Sequence, residues 1–198
     1  CLISIALLFS SLVLMANEEY NTRFSEVVTD SIPLAKEILL EWEQNGPIDG
    51  DYYAAQFNYY LNQGVSIGIC MAKELPLYVM EQGMTLTDSL GNPAGYMYGG
   101  VMAMDTLLLD SAITWLHQGI ALFPERLDLR IGLSTTYKMM DDGDKMFATM
   151  CETVEWVMKH PKVQCTWTSD DKLGVDDTPI ESTIQDYFSD CYYSGFWK

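Results

Sequence analysis

Catalysis and metal binding need particular side chains at particular spacings, and few positions here offer them. His117 and His160 are the only histidines. Each falls on an expected helix without a second ligand at metal spacing, so a zinc site has no support. The close carboxylate pairs, Glu152 with Glu155 and Asp141 with Asp142, would do acid/base work only if burial or a charged neighbour shifted their pKa. Both pairs fall on solvent-facing helix positions or in a turn. Asp170, Asp171, Asp176 and Asp177 gather hard oxygen ligands in an irregular stretch from Val163 to Asp177, but their spacing departs from the D-x-[DN]-x-[DN]-G calcium loop. No G-x-S-x-G elbow, phosphate loop or H-E-x-x-H pair occurs. The expectation is a protein that is not an enzyme, with no catalytic residue, cofactor or metal.

Aromatic residues are the other candidates. Tyr96, Tyr98 and Trp167 could serve as stacking surfaces for a ligand, or as structural packing. Cys70, Cys151, Cys165 and Cys191 allow one or two disulfides in an oxidising compartment. Cys165 with Cys191, flanking the acidic stretch, is the preferred pair, and buried free thiols are the equal alternative.

The elements that must position these residues are mostly helices. Leu108, Ala112, Trp115, Leu116, Gly119, Ile120 and Phe123 recur at helical spacing, and Pro124 stops the run. A second helix, Leu127 to Met140, carries Leu129, Leu133, Tyr137 and Met140, and the turn Asp141-Asp142-Gly143-Asp144 ends it. A third carries Phe147, Met150, Cys151, Val154 and Val157 and closes at Pro161. Upstream, Arg23 to Asn45 reads as one helix or two short ones, with Pro33 at a break or start. Tyr52 to Leu61 is an aromatic-rich helix opened by Asp51. Thr178-Pro179-Ile180-Glu181 starts a last helix with a capping hydroxyl and proline at the first helical position. Between Gly64 and Met104 the helical pattern is interrupted. Met84-Thr85-Leu86-Thr87 alternates, Leu90 to Gly95 supplies turn chemistry, and Tyr96-Met97-Tyr98 resumes an extended pattern, which predicts a small β-hairpin over 84–98.

The run from Asp105 to Pro161 resembles a tetratricopeptide repeat. Repeats of that family follow W-x2-L-G-x2-Y on a first helix, A-x3-F on a second and a closing proline, with a period of about 34 residues. Ala112, Leu116 and Pro124 fit the second half, Gly119 is a further small residue for close helix approach, and Leu133, Ser134 and Tyr137 fit the L-G-x2-Y element. Arg130 stands where the tryptophan is expected, and the third helix outruns the repeat by about three residues. With the wording Ala121 to Asp128, the chain is similar to tetratricopeptide-like proteins of Bacteroidetes type over roughly residues 50 to 195. The resemblance implies an all-α fold, an antiparallel helix-pair array in a TPR-like α-α superhelix with a small inserted β-hairpin. It also implies non-enzymatic protein or peptide binding through a concave face or through the insertion, since insertions in repeat proteins gather on one face. The other reading it leaves open is an exported helical-repeat protein that binds a small ligand or glycan.

Composition narrows the partners. With 11 basic and 28 acidic residues the formal charge is −17, a field that repels phosphate backbones and anionic lipid and so disfavours nucleic acid. Leu2 to Ala16 is an uncharged apolar run of signal-peptide length, short for a membrane span. The expected organisation is a truncated signal peptide over 1–16 and one TPR-like helical domain over 17–198, incomplete at its C-terminus. The expected location is the periplasm or cell envelope, with no membrane span after signal cleavage; an uncleaved N-terminal anchor is the competing reading.

Overall fold

The computed structural model describes residues 18–74 and 84–167, with residues 185, 188 and 189. A short helix α1, described over 18–25, leads through a turn to α2 (Ile32–Asn45), with Pro33 in its first turn. Proline fits there because the first helical N–H groups have no intrahelical acceptor to lose. α3 (Gly50–Gly64) is capped by the Asp49 carboxylate, which accepts from the Asp51 and Tyr52 amides at 3.1 and 3.3 Å. Strands β1 (Val65–Ala72), β2 (Met84–Thr87) and β3 (Pro93–Met104) follow, and then α4 (Thr106–Leu122), α5 (Leu127–Met139) and α6 (Gly143–Lys159).

An aromatic chain holds the helices together. The Trp42 ring stacks on Tyr20 at 5.6 Å and meets Tyr52 edge-on at 5.8 Å; Tyr52 and Tyr53 both reach Trp115, and Tyr53 reaches Phe123. The Trp42 indole N–H donates to the Pro47 carbonyl, so burial leaves no polar atom of that ring unpaired. α4 packs between α3 and α5, and Gly119 lets them close. A methyl group built there would lie 2.9 Å from both Tyr53 Cβ and Leu129 Cδ1. Ala112, Leu116, Leu133, Ser134 and Tyr137 are buried on α4 and α5, Ser134 Oγ donates to the Met146 carbonyl, and the Pro124 carbonyl accepts from Arg130 Nε. Arg130 lays its guanidinium over the Trp156 ring at 5.1 Å. The buried stripe of α6 is Met146, Thr149, Met150 and Thr153; Phe147, expected to lead that stripe, is exposed.

The expectation of an all-α helix-pair array is overturned. The fold is mixed, with helices joined to a three-stranded antiparallel sheet of order β1-β3-β2. The β2–β3 hairpin runs from Met84 opposite Met97 to Thr87 opposite Pro93, and Gly91 takes a φ of 82° in the turn. The insertion is larger than a hairpin, because β1 adds a third strand and β3 continues to Met104. Val65, Ile67, Ile69 and Met71 alternate with Ser66, Gly68, Cys70 and Ala72, a period of two that suits a strand. The sheet is inserted between α3 and α4, and the Asp105 amide donates to the Gly64 carbonyl at 2.8 Å where the chain leaves and rejoins the helical body.

The apolar run expected to be a signal peptide, residues 1–16, and the acidic run from Asp170 to Asp177 lie outside the described residues, as does most of the last expected helix. Gln185, Phe188 and Ser189 are helical, with the Phe188 ring edge-on to Phe147. Among the described residues no helix is long and apolar enough to cross a membrane.

Candidate functional site

Two places concentrate unusual surface, one on the sheet and one in the helical body. On β1, alternation puts Ile67, Ile69 and Met71 on one face, and the register carries that face through Met97 on β3 to Met84 on β2. Gly99 and Gly100 together stand opposite Ile69, a bulge that bends β3 and strengthens the local twist. The face is open: Ile67 is 75% exposed, Ile69 72%, Met71 75% and Met84 61%. None of the three strands carries a charged residue; the nearest are Lys73 and Glu74 after β1, Asp88 in the hairpin turn and Asp105 after β3. Asp88 accepts from the Asn92 backbone and side-chain amides and from the Leu90 amide, and those hydrogen bonds hold its carboxyl below the usual range. Tyr96 and Tyr98 are half-buried on the opposite face, Tyr96 in register with Ala72 and Thr85.

In the body, a cavity of about 380 Å³ opens between α1 and α3. Asn21, Phe24, Ser25 and Val28 form one wall at helical spacing, and Asp51, Ala54, Ala55, Asn58 and Asn62 form the other. Two alanines at the middle of the α3 stripe leave the space. Arg126 and Asp128 also line it, together with Trp167.

Arg126 is the organising group. Its Nε and Nη2 each lie 2.8 Å from an oxygen of Asp128, a two-pronged contact, and its Nη1 lies 2.7 Å from Asp51 Oδ1. Gly50 permits the approach, since a methyl group there would run into the guanidinium. Burial works against the cation, but the hydrogen bonds and charge of Asp128 and Asp51 outweigh it and raise the Arg126 pKa. At the carboxylates the balance differs. Burial raises Asp128 against the pull of Arg126, and burial with the neighbouring charge of Asp51 raises Asp49. Beside the cluster, Thr166 forms an isolated parallel bridge with Arg126: the Leu127 amide donates to the Thr166 carbonyl at 3.0 Å and the Thr166 amide to the Glu125 carbonyl at 3.1 Å. That bridge fixes the backbone next to Trp167.

The expected aromatic surface is therefore divided. Trp167 lines the cavity, whereas Tyr96 and Tyr98 belong to the sheet and are not among the cavity's walls. Cys151 and Cys165 carry free thiols, so Cys165 is not in the expected disulfide; Cys191 lies outside the described residues. Glu152 and Glu155 are exposed, and Glu155 pairs with Lys159. Asp142 caps α6 through the Lys145 amide. His117 Nε2 lies 3.3 Å from the Tyr137 hydroxyl, and among the described residues no three His, Cys, Asp or Glu side chains gather as metal ligands. The Arg126 cluster was missed from sequence because Asp51 is remote along the chain. Its only local trace is an Arg-x-Asp at one helix start and an Asp-x-Asp at another.

Compared with protein families, with characterised proteins and with solved structures, the chain matches none.

Proposed function

We propose that this chain is a non-enzymatic protein-binding module of the cell envelope, exported by its apolar N-terminal run, which docks a protein partner on the Ile67, Ile69, Met71 and Met84 face of the sheet. The observation that carries this reading is that open, uncharged apolar face on a chain of formal charge −17. Contiguous exposed apolar surface of this kind marks interaction sites. Methionine side chains adapt to differently shaped partners, which suits a binding face more than a core. The charges at the sheet's margin, Lys73 against Glu74, Asp88 and Asp105, are acidic in sum and favour a partner whose apolar patch is rimmed by basic side chains. They also disfavour acidic proteins and anionic lipid.

Ile69→Lys tests the reading by placing a charge in the middle of the face. The expected result is a partner captured from envelope extracts by the wild type and not by the variant, with the purified pair losing at least ~10-fold in affinity, about 1.4 kcal/mol. Substitution at an exposed edge-strand position should change folding stability by no more than about 1 kcal/mol. Equal capture by both proteins would overturn the assignment. So would flotation of the wild type with neutral phosphatidylcholine vesicles, or a concentration-dependent dimer, if either were lost in the variant and no partner were recovered; the occupant would then be a lipid surface or a second copy.

A further inference from the structure

The cavity between α1 and α3 is separate from the sheet face, and its lining selects a ligand class. A bound anion finds no waiting cation, because the Arg126 guanidinium already meets Asp128 on two prongs and Asp51 on a third. A wholly apolar ligand would press against that ion pair and against amide groups, and would strip them of water without replacing its hydrogen bonds. What the lining offers is a mixture. Phe24, Val28 and Ala54 are apolar, and Trp167 adds an indole beside the Thr166 bridge. The side-chain amides of Asn21 and Asn58 have no protein hydrogen-bond partner among the described residues, and Asn62 commits its NH2 to the Asn58 carbonyl while keeping its oxygen. An amide presents a donor and an acceptor side by side, which matches neighbouring hydroxyls on a ring. An indole covers the C–H face of such a ring.

We propose that this cavity binds a neutral polyhydroxylated ring, that is, a saccharide unit, with Asn21 and Asn58 bonding its hydroxyls and Trp167 packing on its apolar face. Its volume of about 380 Å³ lies within the ~300–1,000 Å³ of small-ligand sites. Asp128, held in place by Arg126, also lines the cavity and offers an acceptor.

The test is calorimetric titration of the full chain with glucose, galactose, N-acetylglucosamine and cellobiose, beside glucuronate and glucose 6-phosphate. The expected result is binding of at least one neutral sugar with Kd at or below ~1 mM. That affinity should fall at least tenfold in Asn58→Ala and in Trp167→Ala, stay unchanged in Ile69→Lys, and exceed that for either anionic sugar. Asn21→Ala, at an exposed position, gives the same readout without disturbing the body. No neutral sugar binding, tighter binding of the anions, or affinity indifferent to all three cavity substitutions would overturn it. Because Ile69→Lys reports on the sheet alone, failure here leaves the docking face to its own test.

Discussion

The helical body and the inserted sheet treat apolar side chains in opposite ways. In the body, Trp42, Leu116, Leu129 and Met150 are almost wholly buried, and even the charged Arg126 is taken inside with its carboxylates. In the sheet, Ile67, Ile69 and Met71 stay in solvent while the strands carry no charge at all. The difference separates two jobs. Burial in the body supplies folding free energy, whereas the apolar surface of the sheet adds little to stability and is the surface the proposed docking would use.

That contrast can be broken first at Arg126. Arg126→Ala would strand Asp51 and Asp128 as buried carboxylates without their cation, and should cost roughly 3–5 kcal/mol of stability in chemical denaturation. A loss below about 1 kcal/mol would mean that the cluster is solvated and that the body is not organised around it. Gly119→Ala comes next. The added methyl must displace Tyr53 or Leu129, and a loss of about 1–3 kcal/mol is expected. Ile69→Lys, the sheet's counterpart, sits below both, and a larger loss there than at Gly119 would erase the division of labour.

The smallest effect concerns pH. Asp49 is raised in the folded protein, so its contribution is fully present below the ordinary carboxylate value of about 3.9 and is lost as pH rises through the raised one. Asp49→Asn keeps a side-chain oxygen able to cap α3 and removes that titration. The stability of the wild type relative to the variant should therefore decline from about pH 4 upward. A relative stability that rises over the same window would show that the cap and Arg126 outweigh burial at Asp49.

Much of the body was legible in the sequence because helical periodicity reports directly on a buried stripe. Ala112, Leu116, Gly119, Leu133 and Tyr137 all lie on buried helix faces, and α4 ends at Leu122, just before Pro124. The same logic concealed the sheet. A strand is normally recognised by an apolar inner face and a polar outer one, but β1 turns its large apolar residues outward and sets Ser66, Gly68 and Ala72 between them. Local pattern does not show which side is covered. Alternation at 84–87 and the turn residues at 90–95 mark only the β2–β3 hairpin, and the all-α expectation rests on the repeat resemblance, which has no place for β1. The Arg126 cluster is illegible for another reason: its partner Asp51 arrives only when α3 packs beside the start of α5. Trp167 stands out in the sequence as an aromatic, but its separation from Tyr96 and Tyr98 is set by the fold and not by composition.

The hydrogen bond from the Asp105 amide to the Gly64 carbonyl closes the point where the chain leaves and re-enters the body. It works as a hinge pin for the chain's path: the two ends of the sheet meet at one backbone contact, so a change in strand length or turn is expected to leave the packing of α3 against α4 as it is.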